Sequence, residues 1–143
     1  MSRSRHHTGW AGALAVAAEL SRRGYDASVT LGNTPALDLL CVSPSGTQFK
    51  VQVKSLTAGN WVLIRKNTFE RCPEANLFFA VVLVPEEHER PFEYHIVTHT
   101  EACALYRTQR KARLDGQEYK PGMDGLAWGQ VKPHKDRWDK LPK

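Results

Sequence analysis

At 143 residues, with 41% hydrophobic, 24% charged and 9% aromatic side chains, the chain has the composition of an ordinary globular domain, which excludes disorder, collagen and coiled coil. A single domain of this length buries roughly 68–70% of its unfolded surface, and no apolar run approaches the ~20 residues of a bilayer-spanning helix. Twenty Lys+Arg against fifteen Asp+Glu leave a net charge of +5, which suits a polyanionic partner such as nucleic acid without requiring one.

The start, Met1 to His7, is basic, and His6 and His7 are expected to form a disordered, solvated end. The Ala- and Gly-rich run behind it meets Glu19 too soon for an export signal, so a cytoplasmic protein is expected. Trp10, Ala11, Leu14, Ala15, Ala18 and Leu20 recur at helical spacing and predict a helix over Thr8–Arg23. Thr8 is its expected N-cap, and Gly24 the left-handed residue after its last turn. A short strand follows at Ala27–Leu31, then a turn at Gly32–Pro35. Strands Ala36–Val42 and Thr47–Ser55 flank the turn Ser43-Pro44-Ser45-Gly46. A further apolar segment covers Trp61–Ile64, and a short helix Asn67–Cys72. Leu77–Val84 is apolar on both faces and reads as a fully buried strand. Phe92–Thr98 is a later strand and Glu101–Arg110 a later helix. Lys111–Gly129 is turn-rich, and the basic tail from Lys132 carries Trp138 and Leu141 as packing anchors. This order describes one α/β domain over residues 1–143 built on a mixed sheet, with its core at about 8–84 and a C-terminal strand, helix and tail at about 92–143.

Three cysteines, Cys41, Cys72 and Cys103, are an odd number without C-x-x-C spacing. That pattern argues against a disulfide framework or a structural zinc site and leaves Cys41 and Cys103 as buried thiols. His95 and His99, four apart across a strand-to-helix boundary, are not expected to share a face.

Asp38 interrupts an apolar strand, where a carboxylate is costly unless a cation or hydrogen-bond donors compensate it. In the next strand Phe49, Val51 and Val53 alternate with Lys50, Gln52 and Lys54. Pro44 suits the second position of a type I turn and Gly46 the left-handed position closing a three-residue hairpin loop. That loop pairs Ser43 with Thr47, and hence Asp38 with Gln52 and Ala36 with Lys54, putting the three polar groups on one face. A two-residue loop would instead turn Asp38 towards Val51 and Val53. Asp38 offers a hard anionic oxygen, Gln52 an amide oxygen and Val53 a backbone carbonyl, ligands suited to Mg²⁺ or Mn²⁺. Lys54 beside them would orient or deprotonate water in phosphodiester hydrolysis. The competing reading is a structural Asp38–Lys54 ion pair.

T-P-A-L-D (Thr34 to Asp38), followed after a hairpin by V-Q-V-K-S (Val51 to Ser55), resembles the PD-(D/E)XK nuclease superfamily with its restriction-endonuclease-like αβββαβ core. The helix G-W-A-G-A-L-A-V-A-A-E-L-S-R-R-G is similar to that core's first helix, and Holliday-junction-resolvase-type members are the nearest in appearance. The resemblance implies Asp38 as main metal ligand, Gln52 at the second acidic position and Lys54 as catalytic lysine. Gln52 keeps an oxygen ligand but lacks the charge of the family's Asp or Glu. A first-helix acid often helps in the family; it maps near Ala13 or Ala15, whereas the only acid here, Glu19, lies about 240° around the axis from Ala13. Glu19 is either a displaced ligand or a partner for Arg22 or Arg23. Many members act as homodimers. Trp61 is a candidate base-stacking or rim aromatic, and Arg107, Arg110, Lys111 and Arg113 are candidate phosphate contacts or ordinary polar surface. The expected function is a Mg²⁺-dependent deoxyribonuclease; the alternatives are an inactive nuclease-fold protein that binds nucleic acid or a protein, and a basic α/β domain unrelated to either.

Overall fold

The computed structural model describes residues 3–30, 37–72, 74–114 and 124–143, giving the backbone alone for residues 37 and 112–114. Helix α1 (Arg5–Arg22) is followed by strands β1 (Asp26–Val29), β2 (Leu37–Val42), β3 (Gln48–Leu56) and β4 (Val62–Leu63), then helix α2 (Lys66–Glu70). Next come β5 (Leu77–Leu83), β6 (Glu93–Thr98), α3 (His99–Leu114), β7 (Gly125–Leu126) and α4 (Trp128–Val131), with two 3₁₀ turns ending the chain. A mixed five-stranded sheet has the order β1-β2-β3-β5-β6, with β3 and β5 parallel and the other neighbours antiparallel. The α/β class is thus as expected. β4 and β7 form a separate two-stranded sheet.

The hairpin between β2 and β3 closes as its turn residues dictate. Ser43 N–H donates to Thr47 O at 2.8 Å, and Gly46 N–H donates to Ser43 O at 2.9 Å. Gly46 takes φ 94°, a conformation that a side chain resists. Asp38 consequently lies opposite Gln52, the register of the three-residue loop.

Strand alternation divides the core in two. On one face Leu39, Val51, Val53, Phe78, Ala80, Val82 and Ile96 meet Ala13, Val16 and Leu20 of α1, joined by Trp138 and Leu141 from the tail. Close approach here requires Gly12: a Cβ at that position would lie 1.9 Å from Ser55 Oγ. On the other face Phe79, Val81 and Val97 pack with Val62, Ile64, Phe69, Ala102, Tyr106, Leu126 and Val131. Every residue of β5 is buried, as its continuous apolar run requires. The tail runs along β6, bridging Lys135 to His95 and donating Asp136 N–H to Tyr94 O at 2.8 Å.

Several expectations are corrected. α1 begins one turn early: Ser4 caps it, its Oγ accepting from His7 N–H at 3.2 Å, so His6 and His7 are helical rather than a loose end. Thr8 is buried within the helix, its Oγ1 accepting from Arg3 Nε at 3.1 Å. α3 starts two residues before the expected Glu101, on a reciprocal capping box: Glu101 N–H donates to Thr98 Oγ1 and Thr98 N–H to Glu101 Oε1, both at 3.0 Å. Cys103 is no free thiol but is joined to Cys72, 31 residues earlier, in a disulfide that packing of α2 on α3 brings together; Cys41 is buried and free as expected. The turn at Gly32–Pro35 lies outside the described residues, as do Ala36 and the middle of the turn-rich segment.

Candidate functional site

Asp38 and Gln52 are direct cross-strand partners, and Lys54 is the next residue along β3 on the same face. That face is opposite α1, because Leu39, Val51 and Val53 all point towards the helix. In the parallel ladder Gln52 stands beside Phe79 and Lys54 beside Val81, so the polar residues continue the row that becomes the second core on β5. Burial thins along this row: Phe79 is 0% exposed and Leu40, next to Asp38 on its face, 54%.

Asp38 is the most constrained of the three. Its Oδ1 is buried and accepts no hydrogen bond among the described residues, while its Oδ2 lies 3.2 Å from Lys50 Nζ. Lys50 pairs with Leu40 and therefore reaches Asp38 diagonally across the two strands. The Asp38–Lys54 ion pair of the competing reading is thus replaced by an Asp38–Lys50 pair, and Lys54 makes no ion pair among the described residues. Burial drives the Lys54 ammonium below the ordinary lysine range; the Asp38 charge opposes this, and Arg65, which precedes α2, adds to it. Val53 lies between Leu37 of β2 and Ala80 of β5, so its carbonyl belongs to a ladder and has only a second lone pair to offer an ion.

The orphaned Asp38 oxygen and the amide of its cross-strand partner Gln52 are oxygen donors of the kind a hard divalent cation takes. Glu19 is not brought to it. It sits near the end of α1, against the other face of the sheet, with its carboxylate 3.4 Å from both Arg22 and Arg23.

The suggested nucleic-acid contacts lie elsewhere. Arg107 and Lys111 are exposed on α3, whereas Arg110 is half-buried and donates to Tyr106 Oη at 3.2 Å, while Tyr106 itself donates to the buried Asp124 carboxylate. The Arg113 side chain lies outside the described residues. Trp61 is half-buried, its indole nitrogen 2.8 Å from where a Cβ on Gly125 would stand. His95 and His99 are both buried: His95 Nδ1–H donates to Val81 O at 2.9 Å, and His99 Nε2–H to Thr68 O at 2.7 Å.

Lys50 is a site residue that sequence reasoning does not single out. Its signal is present, since it alternates in phase with Gln52 and Lys54. Arg65 has no comparable signal, because only the chain's return through β4 sets it near Lys54.

Comparison with protein-family models, curated proteins and solved structures finds no match for this chain.

Proposed function

We propose that this protein is a metal-dependent nuclease that hydrolyses phosphodiester bonds in DNA, with Asp38, Gln52 and Lys54 as its active site. The observation that carries the reading is the Asp38 Oδ1 atom, buried without a hydrogen-bond partner among the described residues, beside Gln52 and on the face of Lys54. A buried carboxylate oxygen left unpaired is costly, and a bound cation would remove that cost. Asp38 and Gln52 would hold Mg²⁺ or Mn²⁺, which when bound supplies Lewis-acid polarisation of a phosphate oxygen and a more acidic water. Lys54, whose pKa burial lowers from the ordinary lysine range, would orient the attacking water through Nζ. The open sheet around Leu40 and Lys50 gives a polymer backbone room to lie across the site, and the net charge of +5 draws a polyanion towards it. The resemblance of T-P-A-L-D and V-Q-V-K to the PD-(D/E)XK superfamily supports the same assignment. DNA as substrate accords with a cytoplasmic place of action, and pairing of two copies would let both strands of a duplex be cut.

One observation favours a second reading. Lys50 Nζ already neutralises Asp38 Oδ2, and Gln52 brings no charge, so the site has less negative potential than two carboxylates would give. On that reading the protein binds nucleic acid and cuts little or none.

Supercoiled, linear, branched and single-stranded DNA, each with Mg²⁺, Mn²⁺ or EDTA, separates the two. Metal-dependent cleavage lost in both Asp38→Ala and Lys54→Ala, with folding checked by circular dichroism, is the expected result. Salt-sensitive binding without cleavage, unchanged in both variants, would favour the second reading and reject the first.

A further inference from the structure

Cys72 and Cys103 stand apart from the candidate active site, and their chemistry is independent of the nuclease reading. Cys72 lies just beyond α2 and Cys103 on the buried side of α3. α2 has five residues, and its N-cap, Arg65, supplies no side-chain hydrogen bond. A helix this short does not hold itself together in water, so its position depends on what ties it to α3. Those ties include the disulfide, the Phe69–Tyr106 ring stack at 3.9 Å between centroids, and His99. His99 Nε2–H donates to Thr68 O at 2.7 Å, and Glu74 N–H donates to His99 Nδ1 at 2.9 Å, so one imidazole spans both sides of the segment.

Cys72 also has a neighbour that serves the dithiol form. The Phe69 carbonyl is 2.9 Å from Cys72 Sγ, in place to accept from a thiol, and His99 Nε2 is 3.6 Å from Cys103 Sγ. A disulfide has no hydrogen to donate to Phe69 O, so that contact is useful only after reduction. Access is unequal: Cys72 is half-buried, whereas Cys103 is 1% exposed.

We propose that Cys72–Cys103 is a reversible thiol–disulfide switch that fastens α2 to α3 when oxidised and loosens it when reduced by a dithiol. The reductant's thiolate attacks Cys72 Sγ, the accessible sulfur; the S–S bond breaks and Cys103 leaves as a thiolate that takes up a proton. The reductant's second thiolate then attacks its own sulfur in the mixed disulfide, releasing the Cys72 thiolate to be protonated. Two electrons and two protons pass to the protein, and the reductant ends as a disulfide.

The same group is also a candidate for a soft metal, since the ligand atoms of Cys72, His99 and Cys103 lie within 4.8 Å of one another. The hydrogen bonds argue against it. Nδ1 accepts from Glu74, so the ring proton is on Nε2, the nitrogen that faces the sulfurs and would have to carry its lone pair to the ion.

The test uses the full chain purified without reductant. Denaturation and alkylation should label Cys41 alone, and all three cysteines after reduction. The native protein, equilibrated in buffers of graded dithiothreitol ratio and then quenched and alkylated, should pass reversibly between these states with its circular dichroism retained. Proteolysis within residues 65–74 should be faster in the reduced form. In the native state Cys72 in the Cys103→Ser variant should react with an aromatic disulfide reagent at least about tenfold faster than Cys103 in Cys72→Ser. Three labels without reductant, reduction only when the chain unfolds, or an equimolar zinc content in the reduced protein would each overturn the proposal.

Discussion

The carboxylate of Asp38 has one oxygen near Lys50 and the other unsatisfied, and this asymmetry makes the position testable by single substitutions. The Lys50 contact is with a side chain 46% exposed, so as a stabilising ion pair it contributes less than about 1 kcal/mol, and removing it leaves the fold intact. On the proposed reading it would compete with a divalent cation at Asp38. Titration calorimetry should therefore show tighter Mg²⁺ binding in Gln52→Glu, which adds a charge, and in Lys50→Met, which removes a competitor; unchanged affinity in both contradicts a metal at Asp38. The Asp38–Gln52 pairing was legible because all its determinants are local: Pro44 and Gly46 specify the loop, and strand alternation does the rest. The Asp38–Lys50 pair is legible in principle from the same alternation, since Lys50 is two residues from Gln52 on the same face and a diagonal neighbour of Asp38. The Cys72–Cys103 bond could not be read in this way. Its partners are 31 residues apart, and only packing of two helices against the sheet brings them together.

Among the elements, α3 shows how a local signal can go unread. Thr98-His99-Thr100-Glu101 has the spacing of a capping box, and the helix starts from it. Thr98→Ala should cost about 1 kcal/mol in urea denaturation, the usual value of an N-cap, and a loss near zero would show that the box is dispensable. Glu101 has a second role, accepting from Lys140 Nζ at 2.9 Å and so holding the tail against α3. At α1 the cap is Ser4, four residues before the expected Thr8. Ser4 prevails because Thr8 is engaged from the side by Arg3, whose guanidinium also donates to Val84 O at 2.8 Å. Strands β2, β3, β5 and β6 fall within a residue or so of their expected bounds, since each is set by alternation or by a continuous apolar run.

For the molecule as a whole, two histidines couple stability to pH. Burial lowers the pKa of His95 despite its bond to Val81 O; burial and the neighbouring Lys140 charge lower that of His134, against the pull of Glu101. Lys140 Nζ is 2.6 Å from His134 Nδ1, so a proton there would meet an existing cation. Both groups bind protons more readily unfolded than folded. Their contribution is complete above the unfolded value of 6.5 and is lost as pH falls from there through the depressed folded values. Glu101, whose burial is outweighed by the Thr98 N–H and Lys140, adds loss of the same sign below 4.5. Urea midpoints should be level from about pH 7 to 8 and fall below about 6.5, less steeply in His134→Gln; a flat profile down to pH 5 would contradict these assignments. Among the described residues no helix is long and apolar enough to cross a membrane.

The antiparallel bridge from Lys135 to His95, with the Asp136 amide on Tyr94, occupies the outer rim of β6. β1, four residues long, has a neighbour on one side only among the described residues. Among the described residues an extra strand from another polypeptide would meet only the few rungs of Asp26–Val29, an edge too short for extended end-to-end stacking.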